Sequence, residues 1–586
     1  MTGSGTCKRI VALATLLGGV YAALAVRLSF LHLGKTKAIE KPLPYEQVLP
    51  ARRGGIYDRH GDANPLAVVL PTRRFFVDPS RIPPEDRQAV AIELGRILQR
   101  DPGDFLGILS QPRRRYVPLA YIADDTVTSS IQSNEIFKGR VGLQPAELRH
   151  YPLGRQLCHV IGYVNRELTG VNGIEMVYNR MLTGTPGKIV GEADANRLEI
   201  RERRTEETLP VDGCNVELTI DQNVQYHVEV ALDRAMQTHQ ASAAWAVVML
   251  CKTGEILAMA SRPDADPVNP GQSLEPWRNR AIASNYEPGS TLKALTVAAA
   301  LNERLITTNS VIDCENGSWY YAGKPLRDKV RGPSDITTIL RKSSNVGAAK
   351  IALMLGNRGL ETYLRLVGFG ESTRVGLPGE ETGILDPARS WPKIKITRVA
   401  IGQGIAVTAL QMASLYATIA NGGQRMRPQI VRRVIAANGD VVRDFAPEPV
   451  HAPIFRADVS QKMRAMLEAV TQDGGTGRRA AIPGYRVAGK TGTAQMAVRG
   501  GYSKTDYIAS FSGFLPAHAP EIVIVVAVER PHPLTGGGVV AAPVFAEIGL
   551  QTARYLNITP TEAIFEQIPL EDFYNVENEG LEELAL

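Results

Sequence analysis

Three short patterns in this chain pair a hydroxyl with a base or an amide at spacings suited to acyl transfer. Ser290 and Lys293 in "YEPGSTLK" lie three residues apart, so on a helix they share one face of its first turn. Ser343-Ser344-Asn345 follows about fifty residues later, and Lys490-Thr491-Gly492-Thr493 about 145 beyond that. A serine hydroxyl is a poor nucleophile until a nearby base takes its proton. The nine histidines are scattered and suggest no Ser-His-Asp arrangement, which leaves Lys293 as the base, provided it is neutral. A positive helix N-terminus and a second cation, Lys490, would each lower its pKa. Ser343 and Asn345 could hydrogen-bond that lysine and pass a proton to a leaving amine. A strand carrying "KTGT" offers backbone N–H groups to an acyl carbonyl and hydroxyls to a terminal carboxylate.

Each pattern alone has a plainer reading. Ser290 could cap a core helix, Ser343 could do the same, and "KTGT" could be a bulged strand. Together, and in this order, S-x-x-K, S-x-N and K-T-G are a signature of acyl-serine chemistry, with Ser344 in the variable middle position of the second. A further Lys252-Thr253-Gly254 precedes the serine and lies between two apolar runs. Glu255 follows it, and its charge would repel a substrate carboxylate, so this copy reads as a hairpin turn.

The elements that must position these residues fall into two regimes. A chain of 586 residues is too long for one core, and 44% apolar with 22% charged residues is ordinary globular composition. A net charge of +6 and the lack of a basic-aromatic module give no sign of nucleic-acid binding. Five scattered cysteines without a CxxC or histidine cluster argue against a metal site, and a Cys158–Cys214 disulfide is the minor reading. Up to a boundary near 215 to 240, short apolar runs between Pro and Gly turns predict strands, with partial helix over 81–110 and in "IEMVYNRML". The charged run 196–209 reads as a solvated strand or linker. Beyond it, long helical segments are predicted in "DITTILRKSSNVGAAKIALMLG", "TRVAIGQGIAVTALQMASLYATIANGG" and "RADVSQKMRAMLEAV". Strand-like runs in "YRVAGKTGTAQM", "YIASFSGFLP" and "EIVIVVAVER" complete an antiparallel sheet covered by helices, an α+β pattern.

Lys8 and Arg9 precede an uncharged run, Ile10 to Val26, that stays apolar to Leu33 if Arg27 reaches the interface. Its length favours an uncleaved membrane anchor over a cleaved signal peptide, although Ala23-Leu24-Ala25 resembles a peptidase site. Basic residues before the span put the N-terminus in the cytoplasm and the remainder outside.

With these motifs in hand, the chain resembles the class B penicillin-binding proteins, the monofunctional peptidoglycan transpeptidases. "RRGGIYDRHG" is similar to the family's juxtamembrane motif, and "YPLGRQLCHVIGYVN" with "GVNGIEMVYNRMLTGTPG" to its N-terminal pedestal. "TGEILAMASRP", "NRAIASNYEPGSTLK", "GQGIAVTALQMASLYATIANGG" and "GGGVVAAPVF" resemble its catalytic domain; Cys251 stands where an acidic residue is expected. The resemblance implies a cytoplasmic segment 1–9, an anchor 10–33, an elongated, mostly-β pedestal or dimerisation domain 34–235, a transpeptidase domain 236–560 and an acidic tail 561–586. It implies Ser290 as the acylated residue, Lys293 as its base, and Ser343 and Asn345 in the proton network. Lys490, Thr491 and Thr493, with Gly492, would hold the substrate carboxylate, and the N–H groups of Ser290 and Thr493 would form the oxyanion hole. Stem peptides ending in D-Ala-D-Ala are the implied donors, an amine on a neighbouring strand the acceptor, and β-lactams covalent inhibitors, with no cofactor and no metal. The chain most resembles the septal, FtsI-type branch. That branch implies a membrane glycan polymerase and divisome proteins as partners, with self-association as a further option. The alternatives are an elongation-specific transpeptidase, a β-lactamase-like protein or β-lactam sensor, and an inert divisome scaffold.

Overall fold

The computed structural model describes residues 4–33, 43–111, 113–194, 198–498 and 501–562. Residues 34–42 of the expected pedestal and nearly all of the acidic tail lie outside them. The chain forms two compact units, residues 1–51 with 184–212, and residues 52–183 with 213–586.

The smaller unit begins with helix α1, Ser4–Leu33. Its stretch Lys8–Phe30 has a mean hydropathy of 1.9 with none of it buried, long and apolar enough to cross a bilayer. The same unit holds a three-stranded antiparallel sheet of Leu43–Leu49, Gly187–Ala193 and Glu206–Thr208. The last of these strands is exposed along its length and ends the charged run, which is solvated as its mixed signs predict.

In the larger unit, strands Pro65–Val77, Val117–Ile122 and Val141–His150 pack against helices Arg87–Leu98 and Pro102–Leu109. These strands belong to a seven-stranded sheet that runs on through Ile56–Tyr57, Asn215–Leu218, Val431–Ile435 and Val441–Asp444. Behind it, "RRGG" meets "GVNGIE" in a buried ion cluster. Arg53 Nη2 and Arg149 Nε each lie 2.6 Å from the Glu175 carboxylate, and Arg149 Nη1 donates to the Gly54 carbonyl at 2.7 Å. Two arginines on one buried carboxylate satisfy groups that would otherwise be costly to desolvate. Cys158, Cys214, Cys251 and Cys314 are free thiols, so Cys158 and Cys214 do not pair.

The rest of this unit is built on one antiparallel sheet. Its strands are β1 (Ala243–Leu250), β2 (Ile256–Arg262), β5 (Ala488–Val498), β6 (Gly501–Leu515) and β7 (Ile522–Glu529), in spatial order β2-β1-β7-β6-β5. A separate hairpin, β3 (Val311–Tyr321) and β4 (Lys324–Asp335), lies between β2 and β5 in sequence. Lys252-Thr253-Gly254 is the turn between β1 and β2, as expected. One face of the sheet is covered by α2 (Gln222–Thr238) and the C-terminal helix Gly537–Tyr555. On the other lie α3 (Lys293–Asn302), α4 (Ile336–Arg341), α5 (Asn345–Leu366), α6 (Ala409–Ala420) and α7 (Ala457–Glu468). The boundary expected at residue 235 falls inside α2, whose Val224, Val228 and Leu232 share a core with Val526 and Phe545.

Two predicted helices are interrupted. "DITTILRKSSNVGAAKIALMLG" breaks at Lys342–Ser344 into α4 and α5. "TRVAIGQGIAVTALQM" is helical only at Lys395–Val399 and from Ala409 on, and "GQG" between them is loop. Ser343-Ser344-Asn345 and the glycines Gly402 and Gly404 are poor helix formers, and contacts at the site take up both breaks.

Candidate active site

Four segments meet at one end of the sheet: the 3₁₀ turn Gly289–Leu292, the start of α3, the α4–α5 break, and strand β5. Every residue of α3 from Lys293 to Leu301 is buried, which its apolar composition on all faces permits. Ser290 does not cap this helix; the cap position of the turn is Pro288, which makes no side-chain cap bond. Ser290 and Lys293 are i and i+3 across the turn, positions that a 3₁₀ helix brings into register.

The turn is braced from behind. Tyr416 of α6 donates its hydroxyl to the Thr291 carbonyl at 2.8 Å, and Gly289 N–H donates to the Gly402 carbonyl at 3.1 Å. Gly402 has φ +78°, and a Cβ there would lie 2.1 Å from the Gly289 carbonyl oxygen. Only glycine allows "GQG" to approach the serine turn so closely. From the front, β5 reaches the same turn through Gly492, where a Cβ would fall 2.9 Å from the Pro288 carbonyl oxygen.

The Lys293 amine bridges the second motif. Its Nζ lies 2.6 Å from the Ser343 carbonyl oxygen, 2.6 Å from Asn345 Oδ1 and 3.2 Å from Ser343 Oγ. Asn345 donates Nδ2 to the Arg327 carbonyl on β4 at 3.0 Å, which sets its amide orientation. Ser343 holds φ +61°, a left-handed conformation uncommon for a residue with a Cβ. Asp328 of β4, which the sequence did not single out, is tied to the residues that follow it. Its carboxylate accepts from the Ser344 hydroxyl and, at 2.7 Å, from Val346 N–H. Ser344 Oγ in turn accepts from Gly347 N–H at 2.9 Å as the N-cap of α5. Aspartate carries no motif of its own here; its role depends on a hairpin that folds back onto α5.

On β5, Lys490 is fully buried, with Nζ 3.4 Å from both the carbonyl oxygen and Oγ1 of Thr491. Thr491 donates its hydroxyl to Thr476 Oγ1 at 3.1 Å. Thr493 Oγ1 accepts from Gly537 N–H at 3.0 Å, which leaves its own proton for another partner. β5 is an edge strand of the sheet: Lys490 pairs with Ser512 and Thr493 with Ala509 on β6. Thr476 had no sequence signal beyond glycine-rich surroundings, and Gly537 lies in "GGGVVAAPVF", whose resemblance assigned it no role.

Both lysines are held toward the neutral form. Burial lowers the Lys293 pKa to about 7, with the Asp328 carboxylate acting in the opposite direction. Burial, and then the charge of Lys293, pushes Lys490 well below the usual lysine range. Desolvation is the larger cause in each case; a neighbouring cation adds to it at Lys490 and is not among the causes at Lys293.

This fold and this convergence of motifs define a serine acyl-transfer enzyme of the penicillin-binding type. Residues 244–549 match the penicillin-binding protein transpeptidase domain and residues 48–218 the penicillin-binding protein dimerisation domain. The chain is 31% identical to penicillin-binding protein PbpB of Mycolicibacterium smegmatis, covering 90% of this chain and 87% of the relative. It is 32% identical to peptidoglycan D,D-transpeptidase FtsI of Escherichia coli, covering 88% and 85%. Among solved structures, penicillin-binding protein 3 of Mycobacterium tuberculosis, complexed with aztreonam, superposes with a TM-score of 0.68 at 28% identity, covering 89% of this chain and all of the other. The chain therefore belongs to the class B penicillin-binding proteins, and it is a membrane-anchored member of that family.

Proposed function

We infer that the chain is a peptidoglycan D,D-transpeptidase that works through an acyl-enzyme on Ser290. The observation that carries this reading is the buried Lys293, its pKa lowered to about 7, one helical turn from Ser290 and clamped between Ser343 and Asn345. A neutral amine has two N–H groups and one lone pair. The two 2.6 Å contacts with carbonyl oxygens take the N–H groups and leave the lone pair for a hydroxyl proton.

In the first half-reaction, Ser290 Oγ attacks the carbonyl of the penultimate D-alanine of a stem peptide, and Lys293 Nζ takes the hydroxyl proton. The N–H groups of Ser290 and Thr493 stabilise the oxyanion; loss of one such donor costs about 3 kcal/mol in comparable sites. The C–N bond breaks, the proton passes by way of Ser343 to the leaving nitrogen, and D-alanine departs. An amine from a neighbouring strand then attacks the Ser290 ester. Lys293 takes its proton, and the proton returns to Ser290 Oγ as the cross-link forms. Lys490, Thr491 and Thr493 hold the terminal carboxylate of the donor, with Gly492 allowing its approach. That anion also offsets the cost of charging the buried Lys490.

α1 serves as a single-pass anchor with its N-terminus in the cytoplasm, because Lys8 and Arg9 stand at the N-terminal end of the span. The catalytic domain then works outside the membrane on a pedestal that ends where α2 begins. Likeness to the FtsI protein of E. coli along most of both chains supports a septal role, and a glycan polymerase and divisome proteins are the partners such a role would require.

Labelling with a fluorescent penicillin tests the nucleophile: the native chain should label and Ser290→Ala should not. Equal labelling would remove Ser290 from the mechanism. Depletion tests the septal role, since filaments support it and rounded cells point to elongation.

A further inference from the structure

The hairpin β3–β4 carries a charge pattern that the acyl-transfer reaction leaves unused. Along β4, exposed and covered residues alternate, and Arg327 and Arg331 lie on the same exposed face. In a hairpin with no role beyond solvation, cross-strand neighbours of opposite charge would offset such a row. Here the register sets Ser318 opposite Arg327 and Asn316 opposite Arg331, both neutral.

All four carboxylates of the hairpin are committed elsewhere. Asp313 accepts from Glu315 N–H, Glu315 pairs with Lys350, Asp328 holds Ser344 and Val346, and Asp335 caps α4 through Thr338 N–H. Among the described residues neither Arg327 nor Arg331 makes an ion pair. The row begins one hydrogen bond from the reaction centre, since the Arg327 carbonyl accepts from Asn345, which itself holds Lys293. Toward the hairpin turn the same face continues with Pro325 opposite Tyr320, a residue 70% exposed.

We propose that the outer face of β4, through Arg327 and Arg331, is a subsite for a carboxylate on the acyl-donor peptide upstream of the bond that is cut. The proposal rests on the transpeptidase reading above and adds a preference within it. Continuity with Asn345 selects the donor peptide as occupant, because a chain whose terminus lies on β5 must leave the site past the neighbouring walls. Arginine suits the task, its fork pairing with a carboxylate in two hydrogen bonds.

The test uses the full-length protein in detergent and two synthetic donors ending in D-Ala-D-Ala. One bears a free carboxylate upstream, and the other has the carboxamide in its place. The readout is the ratio of kcat/KM values for D-alanine release, which does not depend on the fraction of active enzyme. The native chain should prefer the carboxylate donor about tenfold, as expected for one charge-assisted pair. The preference should fall toward one in Arg327→Gln and Arg331→Gln, survive in Arg327→Lys, and shrink with added salt. A native ratio near one, or a ratio unchanged in both Gln variants, overturns the subsite. Failure of the native chain to acylate with penicillin would be a different failure, that of the Ser290 reading, and the subsite would fall with it.

Discussion

Lys293 sets the pH response of the site. Its pKa is lowered to about 7 by burial, so the amine is charged and inactive as a base below that pH and neutral above it. Penicillin acylation should therefore rise with pH through about 7, and a stopped-flow rate profile without an acid limb in that region would contradict the assignment. Asp328 opposes the lowering, so removing its charge should lower the lysine further. Asp328→Asn keeps an oxygen for Ser344 and Val346 but not the charge. Its acid limb should move to lower pH, whereas a purely structural loss would reduce the rate at every pH without moving the limb. Ser290, Lys293, Ser343, Asn345 and the "KTGT" residues were legible from their types and order. Asp328, Thr476 and Gly537 were not, because each acts through a partner that is distant in sequence and has no spacing rule.

At the scale of elements, the sequence was least informative where helices had to break. The apolar periodicity across residues 335–356 predicts one helix, yet the chain turns at Ser343 with φ +61°. That turn brings the Ser343 carbonyl and the Asn345 side chain to the same amine. Strained backbone of this kind persists only where surrounding contacts over-determine it, here the bonds from Asp328 and the Ser344 cap. The loop at "GQG" has a similar cause, the close approach of Gly402 to Gly289. Gly402→Ala would place a methyl group against that carbonyl at a positive φ. It should lower stability by about 2 kcal/mol or more and slow penicillin acylation in the folded fraction, as read by thermal unfolding and labelling rate. Acylation and melting both unchanged would show that the brace is not needed.

At the scale of the whole molecule, the larger unit is joined by the seven-stranded sheet and by the Arg53–Glu175–Arg149 cluster. Glu175→Gln would leave two buried guanidinium groups without their countercharge. Removing one partner of a buried pair costs about 3–5 kcal/mol, so the variant should melt well below the native chain. A melting temperature within a degree or two would mean that water reaches the arginines. The sequence by itself determined the chemistry, the α+β class and the apolar N-terminal span, because motif order, hydrophobic period and length are local properties of the chain. Only the tertiary structure decided that α4 and α5 part at Ser343, that Asp328 stands behind the second motif, and that burial lowers the Lys293 pKa. Those outcomes depend on desolvation and on contacts between residues far apart in sequence, and no local pattern records them.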